Sequence, residues 1–293
     1  MKTPIHLIID DGSPFGGVDP GYLERFCDIV DRHGMKGDYS IIPMKHDGAD
    51  IVNGGPSVDM AYIQNWLDTV KTRLTGKFDF CPEMLTHSYA LDLTTGKFLE
   101  QNEHDWSQTQ DRTTLTPYIT KALELHKAAG IDATGVTSPW AFGIDVEEEY
   151  IAALIAAQKA VYDRDLSWYF LHVLPDKPEL RPWIAGKDGD KVLVSIPATV
   201  GDIFAECEAE ETSEEFINGV ADKFITCDGK DGAIIRVLDA GGWPILLAHW
   251  WSLNSGGRET GLKVLDIVGR RVNELLGDKV IWMNAMELAE LTV

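Results

Sequence analysis

The chain alternates short apolar runs with longer segments in which apolar residues recur every three or four positions. The run at residues 5–10 (IHLIID) is rich in β-branched side chains and predicts a strand buried on both faces. After it, Asp19 and Pro20 suit the N-cap and first position of a helix, and Gly34 suits its end. This order of strand and helix repeats along the chain, which predicts a parallel sheet whose strands are joined by helices.

The repeats are numerous enough to predict how the sheet closes. Further strands are predicted at residues 39–43, 78–86, 133–137, 169–173, 191–197, 243–250 and 280–283. Further helices are predicted at residues 58–74, 213–225 and 260–276, with others that begin at Thr116–Pro117 and at Asp145. About seven parallel strands in one chain favour a (β/α) barrel over an open sheet. No linker, internal repeat or change of composition interrupts the sequence, so we expect one α/β domain over residues 1–293.

The ends of the strands carry the candidate chemistry, because the loops at the carboxyl ends of a parallel barrel converge on one mouth. The first strand ends in Asp10 and Asp11, followed by Gly12. Two close carboxylates repel each other unless one binds a cation or a proton. One aspartate could therefore bind a divalent metal while the other stays free as a base. The same residues also suit a simple turn, where aspartate is common.

Two histidines end other apolar strands on the same expected face of the barrel. These are His87 and His249. Together with Asp11 they form a set of nitrogen and oxygen ligands that suits zinc or a similar transition metal. Calcium or magnesium would call for oxygen ligands throughout.

Charge and composition exclude several classes of partner. The net charge of −21 opposes binding to phosphate backbones and anionic lipid, so we expect neither nucleic acid nor a membrane as partner. No apolar run approaches the roughly 20 residues that span a bilayer. The N-terminus has no long apolar segment typical of a secretory signal, which favours a cytoplasmic location. Four scattered cysteines without a CxxC motif predict reduced thiols.

These residues resemble the polysaccharide deacetylases, a family of carbohydrate esterases whose domain is a distorted (β/α) barrel. The first motif of that family, Thr-Phe-Asp-Asp-Gly, stands here as Ile-Ile-Asp-Asp-Gly at residues 8–12. The match implies that Asp10 is the catalytic base and Asp11 a metal ligand. The second motif is a histidine, then Ser or Thr, then two residues and a second histidine. Here His87 matches the first histidine, and Leu91 stands in place of the second.

Two later motifs follow in the order of the family. Arg-x-Pro-Tyr is similar to residues 137–140 (TSPW), where the proline and an aromatic residue are kept and the arginine is absent. Leu-x-His is similar to residues 247–249 (LAH), and this match implies that His249 is the catalytic acid. The matching blocks extend along most of the chain, from Ile5 to about Met283.

The departures from these motifs leave two positions to fill. A further metal ligand is needed, and Asp92 ranks first because it lies in the same loop as His87. The alternatives are Asp202, His104 and water. Arg164 or Arg258 could replace the missing arginine from another loop. The resemblance implies a divergent hydrolase that uses zinc to remove an acetyl group from an N- or O-acetylated carbohydrate.

A carbohydrate substrate also suits the aromatic residues at the strand ends. Tyr89, Trp140 and Trp250 are expected to stack on sugar rings, and Arg258 to contact an anionic group, although tryptophans also commonly pack between barrel and helices. Two other functions stay open. One is a glycoside hydrolase of the same superfamily with Asp10 as nucleophile, and the other is a carbohydrate-binding protein without catalysis.

Overall fold

The computed structural model describes residues 2–15, 19–55 and 58–293. Its strands are β1 (Thr3–Asp10), β2 (Gly37–Ile41), β3 (Phe78–Pro82), β4 (Tyr89–Asp92), β5 (Lys97–Asn102), β6 (Gly135–Thr137), β7 (Leu166–Phe170), β8 (Trp183–Asp188), β9 (Lys191–Ser195), β10 (Ile245–His249) and β11 (Val280–Trp282). Its α-helices are α1 (Pro20–His33), α2 (Met60–Leu74), α3 (Glu103–Ser107), α4 (Arg112–Ala128), α5 (Glu147–Tyr162), α6 (Glu214–Phe224), α7 (Ala233–Asp239), α8 (Trp250–Asn254), α9 (Thr260–Leu276) and α10 (Ala285–Thr292).

The parallel strands form two sheets that meet along two seams. One sheet has the order β10-β1-β2-β3, and the other has the order β6-β7-β9-β8, in which β8 alone is antiparallel. At the first seam, the Thr134 amide donates to the Phe80 carbonyl at 2.9 Å. At the second seam, the Val200 amide beyond β9 donates to the Ile245 carbonyl of β10 at 2.9 Å. The sheets thereby close into a distorted α/β barrel with β1, β2, β3, β6, β7, β9 and β10 around its ring, which confirms the predicted fold class.

One end of the barrel is covered by α10, and the other end is open to solvent. The interior is apolar, with Ile8 and Trp168 among its buried side chains. Ala285 and Leu288 of α10 pack into the same cluster. The Met286 amide donates to the Asp79 carboxylate near the start of β3, which places α10 at the amino ends of the strands. The carboxyl ends are therefore left for a site.

Local hydrogen bonds changed some predicted boundaries. Helix α4 begins at Arg112, earlier than predicted, because the Asp111 carboxylate accepts from the Thr114 amide and caps the first turn. Pro117 is therefore accommodated within the helix. The antiparallel hairpin of β4 and β5 was not predicted. In the described part of the chain, no helix has the length and apolar character needed to cross a membrane.

A buried histidine in α4 gives the fold a testable dependence on pH. His126 is fully buried, and burial lowers its pKa to about 4. An unfolded histidine has a pKa of about 6.5, so acidification protonates the unfolded chain first. The stabilisation that neutral His126 provides is complete above pH 6.5 and is lost as the pH falls towards 4. We expect this residue to account for about 2 kcal/mol of unfolding free energy lost between pH 7 and pH 4.5.

Urea denaturation at the two pH values measures that loss. The His126→Gln variant cannot titrate, and its amide can still donate to the Ala122 carbonyl that lies 3.1 Å from His126 Nδ1. Its loss between pH 7 and pH 4.5 should be smaller than that of the wild type by the stated amount. Equal losses in the two proteins would contradict the prediction.

Candidate metal centre and active site

Three side chains converge at the carboxyl end of the barrel. Asp11 follows β1, Glu83 follows β3, and His87 lies four residues further on. One ligand atom from each of the three lies within 4.8 Å of the others. His87 Nε2 is 2.8 Å from Asp11 Oδ1 and 3.2 Å from Glu83 Oε1. Two carboxylates and one imidazole at such distances suit zinc or another first-row transition metal.

The backbone at these residues adopts conformations that side chains rarely favour. The φ angles are 65° at Asp11, 49° at Met84 and 50° at His87, all in the left-handed region. Such conformations cost about 1–3 kcal/mol each and cluster at functional sites. Two of these three residues, Asp11 and His87, belong to the converging set. The left-handed backbone therefore directs the side chains of candidate ligands into the cavity.

A buried carboxylate holds the turn that carries His87. Glu103 accepts from the His87 amide at 2.5 Å and from the Thr86 amide at 3.1 Å. The Tyr118 hydroxyl donates to Glu103 Oε2 at 2.8 Å. Burial raises the pKa of Glu103 to about 7. Glu103 therefore fixes the position of His87 through the backbone and does not itself belong to the ligand set.

The charges of the three candidate ligands depend on one another. Burial alone would raise the pKa of Glu83, but His87 and the hydrogen bonds from Ser40 Oγ (2.6 Å) and the Asp11 amide (2.5 Å) lower it to about 2. Burial alone would lower the pKa of His87, but Glu83 and Asp11 raise it to about 11. A proton on His87 and a metal ion are thus alternative positive charges for the same two carboxylates.

Asp10 lies beside this cluster with a carboxylate oxygen free of protein partners. The residue is 5% exposed, and among the described residues nothing hydrogen-bonds to its Oδ1. Burial, followed by the charges of Glu83 and Asp11, raises its pKa well above the ordinary value. The raised pKa makes this carboxylate a stronger proton acceptor, which is the property that a general base needs.

His249 stands on the neighbouring strand and is paired with an aspartate. Asp10 and His249 are directly opposite each other in the register of β1 and β10. His249 Nδ1 lies 2.7 Å from Asp202 Oδ2, which leaves Nε2 as the nitrogen available to a substrate. Burial alone would lower the pKa of His249, but the Asp202 carboxylate raises it above its usual value. Asp202, an alternative metal ligand in the sequence analysis, instead orients this imidazole.

One cavity connects these groups. It has a volume of about 680 Å³ and is lined by Asp10, Asp11, Glu83, His87 and His249, together with residues of the loops after β6, β7 and β10.

Trp140 stands at the mouth of this cavity. The residue is 57% exposed and its backbone is left-handed, with φ at 44°. Its ring lies 4.3 Å from the ring of His87 and 5.0 Å from the ring of His104. A strained backbone that exposes a tryptophan beside the candidate ligands favours a role for Trp140 in contacting a ligand.

Solved structures share this architecture. A Mycobacterium smegmatis protein provisionally assigned as a polysaccharide deacetylase superposes with a TM-score of 0.56 at 13% identity, over 99% of this chain and 90% of its own. The chain therefore has the fold of the polysaccharide deacetylases. The 4-alpha-glucanotransferase of Thermococcus litoralis superposes with a TM-score of 0.51 at 10% identity, and this chain spans 40% of that protein. No protein-family model matches the sequence. No curated protein matches it either.

The structure places Glu83, and not Asp92, beside Asp11 and His87. The Asp92 carboxylate accepts from the Thr94 amide at 2.8 Å and from Thr95 Oγ1 at 2.7 Å, so it caps the turn of the hairpin. Sequence reasoning missed Glu83 because the apolar run was taken as one strand up to residue 86. The strand ends at Pro82, so Glu83 already lies at the mouth of the barrel. Its spacing of four residues before His87 is the signal that could have revealed it.

Neither predicted arginine reaches the cavity. Arg164 precedes β7, at the amino end of the barrel, where it pairs with Asp132 and lies over the Tyr162 ring. Arg258 donates to the Glu208 and Ala209 carbonyls at 2.8 and 3.2 Å, which ties down the loop after α8. Among the described residues, no lysine or arginine lines the cavity.

Two of the aromatic residues predicted to contact a substrate do not line the cavity. Trp250 is 1% exposed and packs in the core against Tyr22, with ring centroids 4.3 Å apart. Because a helix begins at this residue, the next residue turns to another side, and Trp251 lines the cavity instead. Tyr89 is exposed on β4 near His46, with ring centroids 6.4 Å apart, and is not among the residues that line the cavity.

Proposed function

We propose that this protein is a metal-dependent hydrolase that removes an acyl group, such as acetyl, by cleaving an amide or ester bond. The observation that carries the proposal is the convergence of Asp11, Glu83 and His87 in one cavity with Asp10 and His249. On the motif resemblance alone, the substrate would be an N- or O-acetylated carbohydrate with Trp140 stacked on its ring.

The three converging side chains would hold the metal. Their donor atoms fit a zinc-type ion, since each offers one ligand atom and these atoms lie within 4.8 Å of one another. A divalent metal at this position would polarise a carbonyl oxygen and lower the pKa of water from about 15.7 towards about 7.

The remaining groups handle protons. Asp10 would accept the proton of the attacking water, since its Oδ1 has no other hydrogen-bond partner among the described residues. His249 would donate a proton to the nitrogen or oxygen of the leaving group as the acyl bond breaks. Asp202 would keep the His249 ring in place and its charged form favoured. General acid and base groups of this kind contribute roughly 10²–10⁴-fold to a rate.

Metal content tests the proposal directly. Wild-type protein is loaded with zinc, dialysed and analysed for metals beside the His87→Ala and His104→Ala variants. We expect close to one metal per chain in the wild type and in His104→Ala, because His104 lies beside Trp140 but outside the ligand set. His87→Ala should retain almost none, because it loses the only nitrogen ligand of the set.

Absence of metal from the zinc-loaded wild type would overturn the proposal. His87 would then be a protonated partner of Asp11 and Glu83, and the cavity would belong to a glycosidase or a binding protein. Loss of metal in His104→Ala, with retention in His87→Ala, would show that the proposed ligand set is wrong.

A further inference from the structure

The mouth of the cavity carries large apolar side chains that solvent reaches. Trp140, Ile144, Val173 and Trp251 are 57%, 41%, 46% and 37% exposed. In the described part of the chain ten large apolar side chains are exposed to this degree, and these four surround one cavity. We call these four residues the apolar rim. Exposed apolar groups gathered in one place mark binding sites more often than chance surface positions do.

The apolar rim is assembled from separate parts of the chain. Trp140 and Ile144 follow β6, Val173 follows β7, and Trp251 follows β10. Deeper in the cavity the wall continues with Phe170, Leu171, Leu174 and Leu247. Loops that are far apart in sequence thus contribute the same kind of surface, so the apolar character belongs to the cavity as a whole.

The wall offers few hydrogen-bonding side chains beyond the candidate catalytic groups. The others that line it are Ser138, His172 and the indole N–H groups of Trp140 and Trp251. Ser138 Oγ already lies 2.8 Å from the Tyr150 hydroxyl. His172 Nε2 lies 3.5 Å from Glu147 Oε2, and its Nδ1 has no partner among the described residues. A sugar seated against this wall would find few side-chain partners for its hydroxyl groups, and a hydroxyl that loses water without gaining a partner opposes binding. An anionic group would meet Asp10, Asp11 and Glu83 with no lysine or arginine among the described lining residues.

We propose that the acyl bond cleaved at this site is attached to an uncharged, apolar alkyl or aryl group rather than to a polyhydroxylated sugar. This inference rests on the proposed function for the kind of bond, and on the cavity wall for the kind of group beside it. It narrows the substrates to neutral amides and esters with an apolar ring or chain.

A matched pair of ligands tests the preference by binding alone. N-cyclohexylacetamide and N-acetylglucosamine both carry an acetamide on a six-membered ring, and the second adds hydroxyl groups. We expect zinc-loaded protein to bind N-cyclohexylacetamide at least about tenfold more tightly, because unpaired buried hydroxyls oppose binding of the sugar. Tryptophan fluorescence and ligand-observed NMR measure both dissociation constants, since Trp140 and Trp251 lie at the mouth.

Two isoleucine variants show whether the rim is responsible. Ile144→Asn should weaken binding of N-cyclohexylacetamide about fivefold, since an apolar contact at the mouth of the cavity is lost. Ile281→Asn is the control, because Ile281 has similar exposure (44% against 41%) and lies on β11 away from the cavity. Its dissociation constant should equal that of the wild type.

Equal or tighter binding of N-acetylglucosamine would overturn the inference, as would failure of N-cyclohexylacetamide to bind. Release of acetate from N-cyclohexylacetamide and cyclohexyl acetate is measured separately. Selective binding without acetate release would reject the proposed hydrolase and keep the apolar preference. Faster release from N-acetylglucosamine would reject the apolar preference and keep the hydrolase.

Discussion

Replacing Glu83 by glutamine is expected to weaken zinc binding at least about 100-fold. Even residues that only support metal ligands cost 10–100-fold in affinity when they are changed, and Glu83 offers a ligand atom itself. Glutamine keeps the size of the side chain and can still accept hydrogen bonds from Ser40 and the Asp11 amide. The loss therefore reports the missing charge and not a collapsed site. Competition against a zinc-binding dye measures the affinity.

Glu147→Gln is the matched control for this change. Glu147 accepts from the Tyr169 hydroxyl at 2.6 Å and lies near the cavity, but it does not belong to the ligand set. Its zinc affinity should stay within about twofold of the wild type, whereas supporting residues would change it by 10–100-fold. Unchanged zinc affinity in Glu83→Gln would show that Glu83 is not a ligand.

The same substitution can also be tested in the metal-free protein, through the pKa of His87. Glu83 is the strongest of the charges that raise the pKa of His87 to about 11. Its replacement should bring the His87 pKa down, and NMR of the ring protons follows that titration. A high His87 pKa in both proteins would show that Asp11 alone sustains the charge.

Much of the barrel could be predicted from sequence because its signals are local. Apolar strand runs and helix caps such as Asp19 depend on neighbouring residues, and α1 begins and ends as predicted. Asp10, Asp11, His87 and His249 could be placed at one mouth because each directly follows or ends an apolar run. Closure of the ring through Val200 depends on a single bridge between distant segments, which no local pattern reveals.

The site residues that the sequence placed wrongly lie where an element begins or ends a few residues from the predicted position. β3 ends four residues earlier than predicted, so Glu83 lies beside Asp11 and His87 at the mouth of the barrel. A helix that begins at Trp250 placed Trp251, and not Trp250, in the cavity. Ion pairing with Asp132 fixed Arg164 at the opposite end of the barrel.

Removing the imidazole of His249 is expected to reduce turnover of an unactivated amide by about 10²–10⁴-fold, the usual contribution of a general acid. Asp202→Asn should reduce turnover about 10–100-fold, because it removes the charge that orients the His249 ring and favours its protonated form. The Asp202 carboxylate raises the pKa of His249, so its loss lowers that pKa. Because the acid must be protonated to act, the alkaline limb of the pH–kcat profile should move to lower pH in Asp202→Asn.

The leaving group separates an acid from a residue that merely supports the fold. 4-Nitrophenyl acetate expels a stable anion and needs no proton, so His249→Ala should lose far less activity on this ester than on an alkyl acetamide. Zinc content should be unchanged, since His249 lies outside the ligand set. Equal losses on both substrates, with normal zinc content, would contradict the acid role. In that case His249 would act by shaping the cavity that Asp10 and the metal ligands share.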